Sequence, residues 1–128
     1  MHDALAAAGG YVDDAADALQ ESNVFVSPEV NGKSALESAL LDEIGDASIG
    51  VAVFSTNAAI EATGPEILRE LTSETTYDTI IVAVGNDLFA ASGALDAGEA
   101  MRIAKEAQSS ANTPLAALTE TVQTVIIE

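Results

Sequence analysis

An apolar, β-branched run, Thr79-Ile80-Ile81-Val82-Ala83-Val84, stops at Gly85 and turns through Asn86 and Asp87. An acid just beyond the carboxyl end of a strand stands where open α/β sheets hold their ligands. Two other apolar runs end in a similar way, one at Ser27 and Glu29, the other at Ser55, Thr56 and Asn57. All these side chains offer oxygen or an amide, and none is basic. A hard cation such as Ca²⁺ or Mg²⁺ suits that donor set, and a bound cation would activate water or neutralise a phosphate. A plainer reading accounts for the turn as well: Gly-Asn-Asp is hairpin composition, and chain reversal needs nothing more.

Other chemistry finds few residues to work with. There is no cysteine, which removes thiol nucleophiles, thiolate metal sites and disulfides. His2 is the only histidine, so a Ser-His-Asp triad or a multi-histidine metal site has no material. No phosphate-binding glycine loop, dinucleotide fingerprint, zinc-protease helix, nucleophile elbow or EF-hand loop occurs. Carboxylate pairs are abundant among 21 acids, and that abundance makes any chosen pair uninformative. The four bases lie in predicted helices or beside their starts. Glu66 with Arg69, Glu99 with Arg102, and Arg102 with Glu106 have the spacing of surface ion pairs. None is left to clamp a phosphoryl group.

Charge is the strongest compositional signal. The 128 residues carry a net charge of −17, which repels nucleic-acid backbones and anionic lipid headgroups. The same charge attracts cations or a basic protein. It is lopsided: residues 1–46 hold ten acids against the single base Lys33. Asp13, Asp17 and Glu21 line one face of the first predicted helix, and an acidic surface on the first two helices is a candidate docking face, with Asp13, Asp14, Asp17 and Glu21 as the partner-binding residues. A halophile's acidic surface or a merely well-solvated helix would look the same.

The elements that position these residues follow from hydrophobic period. Val12, Ala15, Ala16 and Leu19 recur as one face of a helix. A short strand follows at 23–26. Ser34-Ala35-Leu36-Glu37 has the form of a capping box, opening a helix with Leu36, Leu40, Leu41 and Ile44 inward and a stop at Gly45. Ile49–Phe54 and Thr79–Val84 are strands apolar on both faces. Thr63-Gly64-Pro65-Glu66 caps the helix between them, which carries Ile67, Leu68 and Leu71. Leu88–Ala91 returns antiparallel as a hairpin. A helix at 97–108 turns Ala97, Ala100, Met101 and Ala104 inward. Asn112-Thr113-Pro114 caps a last helix striped with Leu115, Leu118, Val122, Val125 and Ile126. Strands apolar on both sides, alternating with amphipathic helices, predict a three-layer α/β/α sandwich. Its mostly parallel sheet has about four strands, the last an antiparallel hairpin strand. Residues 1–10 are read as a flexible tail and 11–128 as one domain. No apolar run reaches the length of a membrane span.

The order of elements, with Tyr11-Val12-Asp13-Asp14, Ile49-Gly50-Val51-Ala52-Val53, Thr79–Val84, Asn86-Asp87, Gly93 and Leu95, resembles the TPM domain over residues 11 to 126. This is a small α/β/α domain of membrane-anchored proteins in bacteria and chloroplasts. Ala97-Gly98-Glu99-Ala100 is similar to the actinobacterial branch, whose TPM-like domain lies outside the membrane between spanning segments. The resemblance implies an extracytoplasmic domain whose Val125-Ile126-Ile127-Glu128 runs toward a membrane span. It also implies a peptidoglycan hydrolase of the NlpC/P60 type as partner. The wider family implies acid phosphatase activity and divalent-cation binding, with Asp13 and Asp87 at the matching acidic positions. Many family members carry an Arg in the returning strand. Leu88-Phe89-Ala90-Ala91 has none, which argues against the phosphatase.

The expected function is a non-catalytic interaction domain that regulates a cell-envelope enzyme through its acidic face and requires no cofactor. A cation-dependent phosphatase using Asp13 and Asp87 is the alternative, and a module that uses cations only for stability is a third.

Overall fold

The computed structural model describes residues 10–27, 30, 32–55, 63–85, 87–93, 95, 98–111 and 113–127, with side chains for all of these except 10–13, 114, 115 and 127. Helix α1 (Gly10–Leu19) leads to strand β1 (Val24–Val26), α2 (Lys33–Ile44), β2 (Ile49–Phe54), α3 (Gly64–Glu74), β3 (Thr79–Val84), β4 (Asp87–Ser92), α4 (Glu99–Ser110) and α5 (Pro114–Ile127). The strands lie in the order β1-β2-β3-β4. The first three are parallel, and β4 pairs antiparallel with β3, Val84 opposite Asp87 and Thr79 opposite Ser92. Helices cover both faces, as the two-sided apolarity of β2 and β3 requires.

Alternation along the strands sorts the core into two layers. Val24, Val26, Val51, Val53, Ile81, Ala83, Leu88 and Ala90 face α2, α4 and α5. Ala52, Phe54, Ile80, Val82 and Val84 face α1 and α3. The two crossover helices, α2 and α3, therefore lie on opposite faces although β1, β2 and β3 succeed one another in one direction. One of the two β–α–β crossovers is consequently left-handed, the rare hand for parallel strands.

Glycine makes room at two places on the α1–α3 face. A Cβ on Gly50 would stand 2.7 Å from Cδ2 of Tyr77, whose ring covers this point of β2. A Cβ on Gly64 would overlap the ring of Phe89. That ring is also covered by Lys105, with Nζ 4.0 Å from its centroid.

Two helix starts compare instructively. At α3 the capping box forms in full: Thr63 N–H donates to Glu66 Oε1 at 3.0 Å, and Glu66 N–H donates to Thr63 Oγ1 at 3.3 Å. The box expected at Ser34 does not form. The helix begins earlier, at Lys33, because Gly32 at φ 72° turns the chain into it, and no side chain caps it. Glu37 pairs instead with Lys33 Nζ at 3.0 Å. Leu41, expected inward, is 41% exposed, whereas Leu36, Leu40 and Ile44 are buried. In α4 the buried residues are Ala100, Ile103, Ala104 and Ala107, and Met101 is half-buried. Ala97 lies outside the described residues. In α5, Leu118, Val122 and Val125 are buried, Ile126 is 48% exposed, and Thr113 Oγ1 accepts from Ala116 N–H as the cap. Among the described residues no helix is long and apolar enough to cross a membrane.

Candidate functional site

The connection from β1 passes to one face of the sheet and the connection from β2 to the other. They part between the carboxyl ends of these strands, the position where open α/β sheets hold ligands. Ser27 stands there. Its N–H donates to Val53 O at 2.9 Å, continuing the parallel ladder past β1. Its Oγ is fully buried and makes no hydrogen bond among the described residues. Ser55 at the end of β2 is half-buried. Glu29, Thr56, Asn57 and Asn86, the other expected donors, lie outside the described residues.

Asp87 opens β4 and is exposed. It is held by α4: Gln108 Nε2 donates to Asp87 Oδ1 at 3.2 Å, while Gln108 Oε1 accepts from Leu88 N–H at 2.8 Å. The turn is thus a hairpin whose outer edge is closed by one amide side chain. Asp13 belongs to α1, but its side chain lies outside the described residues, so its distance from Asp87 is not part of the geometry. Among the described residues no three His, Asp or Glu side chains come together to hold a metal ion.

The acidic face is clearer. Ala15, Ala16 and Leu19 are buried, Asp14 and Asp17 are exposed on the other side of the helix, and Glu21 is exposed in the turn just after it. These three carboxylates make no ion pair or hydrogen bond with any base among the described residues. Three of the four bases are engaged elsewhere. Lys33 pairs with Glu37, and Lys105 lies on Phe89. Arg102 binds Glu99 through Nη2 and Glu106 through Nη1, the latter at 2.8 Å. The guanidinium of Arg102 holds the Glu99 carboxyl below its ordinary range, and the two carboxylates raise Arg102 further above its own.

Tyr77 has a role that the sequence reading missed. It precedes β3 and reaches back to the end of α1, with its hydroxyl 2.6 Å from Leu19 O and 2.8 Å from Ser22 O. Burial raises its pKa, so the hydroxyl keeps its proton. The signal available was a lone Tyr ahead of a strand in a chain with five aromatics. Gln108 gave no signal.

Compared with family models, with curated proteins and with solved structures, the chain gives no match.

Proposed function

We propose that this domain is a non-catalytic interaction module that docks a basic protein partner on the outward side of α1. The observation that carries this reading is the row Asp14, Asp17 and Glu21, exposed at i, i+3 and i+7 and paired with no base among the described residues, two on a helix whose other side is buried and the third just past its end. Unneutralised carboxylates on a rigid element steer and orient a positive partner, and their effect falls with salt. The resemblance to the TPM domain supports an extracytoplasmic setting and a peptidoglycan hydrolase as the enzyme regulated. The phosphatase that the same resemblance implies draws no support from Asp87, whose carboxylate is engaged by Gln108.

The test is a titration of the domain with a purified peptidoglycan hydrolase at low and high ionic strength, beside an Asp14→Asn, Asp17→Asn, Glu21→Gln triple variant. Binding is expected to weaken with salt and in the variant. No binding at any ionic strength overturns the reading, whereas binding indifferent to salt and to the variant removes α1 as the docking face.

A further inference from the structure

At the amino edge of the sheet, α1 and α3 end side by side around a cavity of about 330 Å³ lined by Leu19, Gln20, Glu74, Thr75, Thr76 and Tyr77. A helix C-terminus carries partial negative charge and is stabilised by a nearby cation. Neither helix has a basic residue in its last turn. Glu74, the last residue of α3, adds a full negative charge to the lining.

Two backbone carbonyls at this place share one hydroxyl. Tyr77 Oη lies within hydrogen-bonding distance of both Leu19 O and Ser22 O. A phenol carries one proton and a carbonyl none. The Tyr77 hydroxyl can therefore donate fully to only one of these two carbonyls at a time. Gly50 fixes this arrangement by giving the Tyr77 ring its place on β2.

We infer that the cavity is a binding site for a positively charged side chain, the lysine ammonium or arginine guanidinium of a docked protein partner. Such a group supplies a further hydrogen-bond donor for the Leu19 carbonyl, which shares the Tyr77 hydroxyl with Ser22 O, and the positive charge that two helix C-termini and Glu74 favour. The volume is at the small end for ligand pockets, which suits one side chain better than a larger molecule. Asp14 and Asp17 are exposed on α1, and exposed Glu21, just past its end, directly follows the lining residue Gln20. This inference rests on the docking function proposed above and gives that partner an anchor residue.

The experiment uses n-butylammonium as the lysine probe and n-butanol as its uncharged counterpart, followed by two-dimensional amide NMR. Butylammonium is expected to shift the amides of residues 19–22 and 74–77 saturably, and butanol to leave them in place. Glu74→Gln is expected to weaken the effect about three-fold, the size of one exposed charge pair. Tyr77→Phe, checked for folding by its melting curve, removes the hydroxyl and is expected to alter the shifts at Leu19 and Ser22. Shifts equal for both probes, shifts scattered without saturation over all surface carboxylates, or no shift at the cavity each overturn the inference. If the probe binds and the hydrolase does not, the site stands and the partner reading falls. If the hydrolase binds through α1 and the probe leaves the cavity untouched, only the anchor is lost.

Discussion

Asp87 and Gln108, 21 residues apart, meet through a single hydrogen bond of 3.2 Å, and the same amide receives the N–H of buried Leu88 at 2.8 Å. Gln108 thereby covers the outward N–H of an edge strand, a group that would otherwise be open to pairing with another chain. Gln108→Ala is expected to lower stability by about 1 kcal/mol, since Leu88 N–H loses its partner. Asp87→Ala leaves that bond in place and should change stability by less than about 0.5 kcal/mol. Urea unfolding of the two variants checks the order. An Asp87 variant that suffers more than the Gln108 variant would show that the carboxylate holds something other than the turn.

Gly64 and Phe89 are matched in shape. A Cβ on Gly64 would overlap the Phe89 ring, with even Cδ2 at 2.6 Å, and Lys105 Nζ lies over that ring. Gly64→Ala is expected to cost about 1–3 kcal/mol by overpacking. Combined with Phe89→Leu it should cost less than the sum of the two single changes, because the smaller side chain vacates the space. Additive losses would mean that the ring is not what the methyl group meets.

The capping box of α3 sets a pH dependence. Glu66 is held below its ordinary carboxyl range, first by the backbone N–H of Thr63 and then by the Thr63 hydroxyl. A carboxyl with a lowered folded pKa gives stability that is fully present above the unfolded value and is lost as pH falls through the folded one. Glu66→Gln keeps an oxygen for Thr63 and removes the titration. The stability gap between parent and variant should therefore shrink from about pH 6 to about pH 3. Thr63→Ala removes the hydroxyl partner and should cost about 1 kcal/mol at neutral pH. A gap that widens on acidification would contradict the assigned direction.

Ser27 gives the opposite expectation. Its buried hydroxyl has no hydrogen-bond partner among the described residues, and such a group costs about 1–3 kcal/mol in desolvation. Ser27→Ala keeps the backbone bond to Val53 O and should raise stability by about 1 kcal/mol. Thermal melts of the variant provide the measurement, and a loss of similar size would show that the hydroxyl is satisfied in solution.

The legible parts of this fold are those set by local pattern. β2 apart from Gly50 and β3 apart from Thr79 are apolar on both faces, which predicts burial on both sides, and every residue of both strands is buried. Thr63 and Glu66 satisfy a four-residue rule and form the cap it predicts. Ser34 and Glu37 satisfy the same rule without forming it, because a left-handed Gly32 starts the helix two residues earlier and Lys33 offers Glu37 an ion pair. A pattern cannot rank such competitors. Long-range partners were not legible at all: nothing near Gln108 announces Asp87, and nothing near Tyr77 announces Leu19. The alanine content of α4 also hid its register, since Ile103 and Ala107, not Met101, complete its buried stripe. Of the candidate site, the exposed acids of α1 were readable from their spacing, whereas the cavity at its end depends on two helices meeting.

Because spatial neighbours in the sheet are also successive strands along the polypeptide, assembly can proceed in the order of synthesis. Each strand finds its mate already in place as it leaves the ribosome, with little chain to loop back. Only one layer has to wait. Ala117, Leu118, Val122 and Val125 complete the layer shared with α2 and α4, so a nascent chain halted before α5 would hold a finished sheet with one greasy side only partly covered.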